Sequence, residues 1–211
     1  MGAPFQPRAD LHAGPTLLGI FVGGASRRMG SPKGLLRIGG EPLVERWLRV
    51  GRSLGLQPVL VGRHPAYAHL EAPVLDDPAR GLGPAGGLLS LLGEAGERRA
   101  ISVACDMPFV SETLLGRLLH ELGKLDERSG ALAPRVHGRW EPFLAGYAPA
   151  RALPLLTARI AGGAHDLQGL LSALGSAELS LSEAEERELR DWDCPEDMEK
   201  ADEAENTRKL S

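Results

Sequence analysis

At 211 residues the chain is long enough to bury most of its apolar surface in one core, so a single domain with short ends is expected. A net charge of −4, with Lys and Arg scattered apart from one cluster, excludes a polybasic nucleic-acid surface. No apolar run reaches membrane-spanning length, and the first fifteen residues lack a signal-peptide core. With only Cys105 and Cys194, far apart and not in metal spacing, the setting expected is reducing and cytoplasmic.

Residues 1–15 read as a disordered lead-in, 16–201 as the domain and 202–211 as a frayed charged tail. The run Leu17-Leu18-Gly19-Ile20-Phe21-Val22 reads as a buried parallel strand. It empties into a glycine-rich, cationic loop over 23–33. A helix is then expected to open at Glu41-Pro42, with Leu43, Val44, Trp47, Leu48 and Leu54 on one face, and to end near Gly55. Strands follow over 58–62 and 73–75, the second ending at Asp76-Asp77. Leu88, Leu89, Leu91 and Leu92 mark a helix from near Pro84, and a strand over 99–105 ends at Asp106. Ser111 caps the next helix, with Leu114, Leu115, Leu118, Leu119 and Leu122 along it.

The second half is more broken. Short strands over 130–135 and 142–147 flank His137-Gly138-Arg139, an antiparallel excursion. Helices are expected over 150–160, limited or kinked by Pro154, and over 167–174. A short strand over 178–181 and a last helix starting at Pro195 complete the chain. Alternating strand and helix predicts an open, mostly parallel, Rossmann-like α/β sheet with helices on both faces and a small antiparallel excursion. In such sheets ligands bind where the strands end, so a glycine loop and the carboxylates at Asp76 and Asp106 are expected at one edge.

The loop is Gly23-Gly24-Ala25-Ser26-Arg27-Arg28-Met29-Gly30-Ser31-Pro32-Lys33. Gly23 and Gly24 let the backbone approach a ligand closely, and converging N–H groups suit phosphate oxygens. Arg28 can fork onto phosphate and Lys33 adds a point charge, so the ligand read from these residues is a nucleoside triphosphate. The Walker loop is excluded because Pro32 precedes Lys33 and Gly34 follows it, and the kinase glycine spacing is absent too. A basic surface turn is the plainer reading of the same residues. Asp106 suits Mg²⁺ shared with a triphosphate, or a turn cap before Pro108. Asp76 has Asp77 as its rival, and an Asp-Pro turn as its alternative. Gly81 to Gly86 also spells G-x-G-x-x-G, but Pro84 would start a helix inside it and no strand leads straight into it, which disfavours a dinucleotide-binding dehydrogenase. His64, His69, His120, His137 and His165 show no metal spacing.

The pattern Gly-Gly-x-Ser-x-Arg-Met-Gly-x-x-Lys after a first strand, with Cys105-Asp106-Met107-Pro108-Phe109, resembles the molybdenum cofactor guanylyltransferase family of nucleotidyltransferases. The resemblance spans from Leu17 to about Ala201. It implies a fold of the nucleotide-diphospho-sugar transferase type. The donor it implies is GTP, and the acceptor is the phosphate of molybdenum-bound molybdopterin. Phe21, Val22, Gly23, Gly24 and Ser26 would cradle base and phosphates, Arg28 and Lys33 would neutralise charge, Asp76 would contact the nucleotide and Asp106 would hold Mg²⁺. Glu141-Pro142-Phe143-Leu144-Ala145-Gly146-Tyr147 resembles the family's Pro-x-x-Ala-x-Tyr strand beside the acceptor. Asp191-Trp192-Asp193-Cys194-Pro195-Glu196-Asp197 matches a segment in which the family carries two Asn, and its acids could instead support a second Mg²⁺. The chain also departs from the family at Pro32, where Asp is frequent, and near Val61-Gly62-Arg63, where a polar residue, commonly Asn, is usual. Val22-Gly23-Gly24 is nearer the guanylyl branch than the cytidylyl one, whose loop usually reads Ala-Ala-Gly. Two alternatives stay open: a CTP-dependent cytidylyltransferase acting on molybdopterin or a sugar or polyol phosphate, and a non-catalytic nucleotide- or cofactor-binding module. A monomer or weak homo-oligomer is expected.

Overall fold

The computed structural model describes residues 14–22, 33–76, 81–126 and 128–189. Gly23 to Pro32, Asp77, Asp191 and Asp193, the helix expected from Pro195, residues 1–13 and the tail over 202–211 lie outside them.

The first strand, β1 (Leu17–Phe21), is followed by a 3₁₀ turn (Lys33–Leu35) and a two-residue hairpin of β2 (Arg37–Ile38) and β3 (Glu41–Pro42). Helix α1 (Leu43–Ser53), strand β4 (Gln57–Val61), a second 3₁₀ turn (Pro65–Tyr67) and strand β5 (Val74–Leu75) come next. Then follow α2 (Pro84–Ala95), β6 (Ala100–Ala104) and α3 (Glu112–Gly123). Strand β7 (Ala131–Ala133) leads into a hairpin of β8 (Arg135–Val136) and β9 (Arg139–Trp140), and β10 (Leu144–Tyr147) returns to the sheet. The described chain closes with α4 (Pro149–Ala161), α5 (Leu167–Ala173), β11 (Ala177–Glu178) and α6 (Glu183–Glu188).

Among the described residues, seven strands form one sheet in the order β11-β7-β10-β6-β1-β4-β5. β6, β1, β4 and β5 run parallel, β11 runs parallel to β7, and β10 alone is reversed against β6 and β7. The period-two alternation of a strand explains how helices cover both faces. Leu18, Ile20 and Val22 enter one core with Trp47 and Leu48 of α1 and Leu114 and Leu118 of α3. Leu17 and Phe21 enter the other, with Leu88 and Leu91 of α2 and Leu156 of α4. Burying Leu18 or Ile20 contributes about 1.5–3 kcal/mol each relative to exposure.

Helix α2 lies close to the sheet because two glycines allow it. A Cβ on Gly19 would stand 2.5 Å from Leu91 Cδ2, and one on Gly87 would stand 2.7 Å from Val61 Cγ1 and 2.8 Å from Phe21 Cε1. One expectation is corrected. Glu41-Pro42 does not open the helix, because Gly39 and Gly40 turn the chain with φ of 56° and 84° and pair Ile38 with Glu41 first. Helix α4 spans Pro149–Ala161 as expected, with Pro154 inside it rather than limiting it. Ala152 and Leu156 are buried on either side of the proline, and that packing offsets its missing N–H.

Candidate active site

Because β1, β4, β5 and β6 are parallel, their carboxyl ends share one edge, and β7 ends there too since β10 runs against both β6 and β7. Among the described residues, Phe21, Val22, Asp76 and Asp106 lie along that edge, while Gly23, Gly24, Ser26 and Arg28 are outside the described residues. Phe21 ends β1, Asp76 follows β5, and Asp106 stands two residues beyond the end of β6. Lys33 opens the 3₁₀ turn at the far side of the loop.

Phe21 and Val22 keep their side chains in the core. Val22 N–H donates to Val61 O at 3.0 Å and Phe21 O accepts Cys105 N–H at 3.1 Å. Phe21 and Val22 thus pack and pin the end of β1. The second of these bonds also ties the end of β1 to the turn carrying Asp106.

The passage from β6 to α3 is braced at several points. Arg46 Nη2 donates to Val110 O at 2.7 Å, and Glu188 Oε2 accepts Ser111 N–H at 2.9 Å. Ser111 Oγ accepts Leu114 N–H at 3.1 Å, the cap expected from sequence. Asp106 is half-buried within this frame. Its charge reaches the phenol of Tyr67, whose pKa is pushed up to about 12, first by burial and then by negative charge at Cys105 and Asp106, with the Gly34 N–H bond opposing.

Asp76 is held from two sides. Arg63 Nε and Nη2 both donate to its carboxylate at 2.9 Å, and Ser90 Oγ of α2 donates to its carbonyl at 2.7 Å. The Arg63 fork, by hydrogen bond and by charge, holds the Asp76 carboxyl below its usual range. The pair is exposed to solvent. Three strand spacings separate β5 from β6, about 14 Å. The two carboxylates thus share an edge without forming one metal site, and they can face opposite ends of one extended nucleotide. Arg63 escaped the sequence reading of the site; its only signal was a cation where a polar residue is usual.

Beyond β6, the turn before β10 is pinned from beneath. Ser102, buried in β6, donates through Oγ to Pro142 O at 2.6 Å, and Tyr147 O–H donates to the same carbonyl at 3.3 Å. Glu141 Oε1 accepts Phe143 N–H at 3.1 Å, and the Phe143 ring meets Phe21 edge-on at 5.2 Å. This gives Pro142 and Tyr147 of the Pro-x-x-Ala-x-Tyr strand a joint structural role. The β8–β9 hairpin rises from the same edge, with the Arg135 guanidinium 3.9 Å above the Trp140 ring.

A parallel sheet whose carboxyl edge carries a glycine loop and separated carboxylates defines a nucleotide-binding α/β protein. Residues 19–178 match the MobA-like NTP transferase domain family, and the chain belongs to that family. It is 33% identical to a probable molybdenum cofactor guanylyltransferase of Synechococcus elongatus, over 82% of this chain and 89% of the relative. The crystal structure of molybdopterin-guanine dinucleotide biosynthesis protein A from Archaeoglobus fulgidus superposes with a TM-score of 0.74 at 27% identity, covering 91% of this chain and all of that one. The fold is shared more distantly, at TM-score 0.63 and 21% identity, with 2-C-methyl-D-erythritol 4-phosphate cytidylyltransferase from Thermus thermophilus, over 90% of this chain and 98% of that one. The protein is a nucleotidyltransferase by family. Among the described residues no helix is long and apolar enough to cross a membrane.

Proposed function

We propose that the chain transfers GMP from GTP to the phosphate of molybdenum-bound molybdopterin, giving a guanine dinucleotide cofactor and pyrophosphate. The observation that carries this reading is the likeness to a guanylyltransferase over 82% of the chain. The acceptor phosphate oxygen attacks the α-phosphorus in line, a bond forms between them, and the bond to the β-phosphate oxygen breaks. No covalent enzyme intermediate is needed, so positioning and charge neutralisation carry the catalysis.

In this reading Gly23, Gly24 and Ser26 cradle the donor, and Phe21 and Val22 aim that loop. Arg28 and Lys33 neutralise the triphosphate and the departing pyrophosphate. Asp76, oriented by Arg63, meets the nucleoside end of GTP. Asp106 is the residue that would hold Mg²⁺. A hard carboxylate just beyond the end of β6 fits an ion that takes its other ligands from phosphate and water. When bound, that ion would supply charge stabilisation on the phosphate oxygens. The Phe143 turn and the β8–β9 hairpin border the acceptor. We place the enzyme in the cytoplasm as a monomer or weak homo-oligomer, with no nucleic-acid partner.

The test is GMP transfer by Lys33→Ala and Asp106→Ala, with circular dichroism checking the fold. Turnover should fall on the order of 10²–10³-fold in each, the size seen when a group stabilising transition-state charge is removed. A module that only holds nucleotide would have no turnover to lose and would change in affinity alone.

A further inference from the structure

We propose that Tyr67 is a positioning residue for this transfer: its hydroxyl accepts Gly34 N–H and so fixes the turn beginning at Lys33 against the turn that follows β4. The proposal rests on the guanylyl-transfer reading for its consequence, but the clamp itself stands on geometry.

Tyr67 ends the 3₁₀ turn that follows β4, and it is only 3% exposed within the core of Ile20, Val22, Met107 and Leu114. A phenylalanine would fill that space as well. The hydroxyl adds a polar atom that needs a partner in the interior. It meets Gly34 N–H at 3.1 Å, across 33 positions of sequence. Gly34 directly follows Lys33, so the bond holds the first peptide after the lysine.

The fit is mutual. A Cβ on Gly34 would stand 2.7 Å from the Tyr67 hydroxyl oxygen and 3.2 Å from Cζ, so the glycine at 34 is what the tyrosine requires. The turn carrying Tyr67 is itself braced, with His64 Nδ1 accepting Ala66 N–H at 3.2 Å and the His64 ring 5.5 Å from that of Tyr67. A three-residue 3₁₀ turn has little stability of its own. Lys33 follows a long glycine-rich loop, and a small misplacement of a charged group costs rate steeply. The clamp thus joins the turn that follows β4 to the turn that bears the cation.

The experiment is Tyr67→Phe in the full chain, read by hydrogen–deuterium exchange at the Gly34 amide and by steady-state GMP transfer, with the thermal midpoint measured alongside. Expected are faster exchange at Gly34 and kcat/KM for GTP lower by about tenfold, with KM for the acceptor unchanged. Gly34→Ala should lose more activity, and Gly34→Ala/Tyr67→Phe should regain part of it because the clashing oxygen is gone. Unchanged exchange at Gly34 in Tyr67→Phe would overturn the clamp. Faster exchange with kcat/KM intact, measured where both proteins are folded, would reduce Tyr67 to a core residue and overturn the positioning role. A wild-type chain that transfers no GMP would instead overturn the guanylyl reading and with it the catalytic consequence, while exchange at Gly34 would still decide the clamp.

Discussion

Tyr67 and Tyr147 are the two tyrosines of the chain, and burial drives the pKa of both upward. A phenol that holds its proton more tightly when folded stabilises the protein fully below its unfolded value of about 10. That contribution is lost as pH rises from there through the folded value, about 12 for Tyr67. We expect ultraviolet difference absorbance to show almost no tyrosinate in the folded protein at about pH 10, and both phenols half-ionised there in denaturant. An early ionisation in the folded state would mean that one of the two phenols is open to water. Residue type and place were legible for Asp76 and Asp106, since each closes an apolar run. Their partners were not. Sequence does not say that Arg63 reaches Asp76, or that a tyrosine 33 positions beyond Gly34 holds its amide.

At the scale of elements, the long apolar patterns were readable and the short devices were not. The central strands and helices α1 to α5 all carry runs whose period matches their form. Glu41-Pro42 of the β2–β3 hairpin reads as a helix entrance because two-residue strands have no period. The Gly-Gly pair was the available signal. His137-Gly138 makes the same kind of turn, with φ of 50° and 77°. Helix α6 was missed altogether, although Ser182 and Glu185 form a capping box whose Ser-x-x-Glu spacing announces it. Helix α2 offers a test of how elements set the site. Gly87→Ala would press on Val61 and Phe21 and should destabilise by about 1–3 kcal/mol, lowering Tm by roughly 2–12 °C. Gly93, in the same helix, faces open space, and Gly93→Ala should hold or raise Tm in the same thermal melt. Equal effects at the two positions would mean that α2 does not press on the strand that precedes the loop.

At the scale of the molecule, the topology follows from the order of strands and helices, and it alone brings distant carboxylates to one edge. What the order could not give was their spacing. Asp76 sits on the outer strand and Asp106 beyond β6, with β1 and β4 between them. In the proposed function, a nucleotide would lie across that edge, with its nucleoside end at Asp76 and its phosphates at Lys33 and Asp106. The reversed strand β10 then sets the Phe143 turn on the far side of β6, where an acceptor would approach. The most direct measurement is calorimetric titration of the protein with GTP, CTP, ATP and UTP, each with and without Mg²⁺. We expect GTP to bind in preference to the others, in a Mg²⁺-dependent way that Asp106→Ala abolishes. A preference for CTP would contradict the guanylyl assignment, and failure to bind any triphosphate would contradict the site itself.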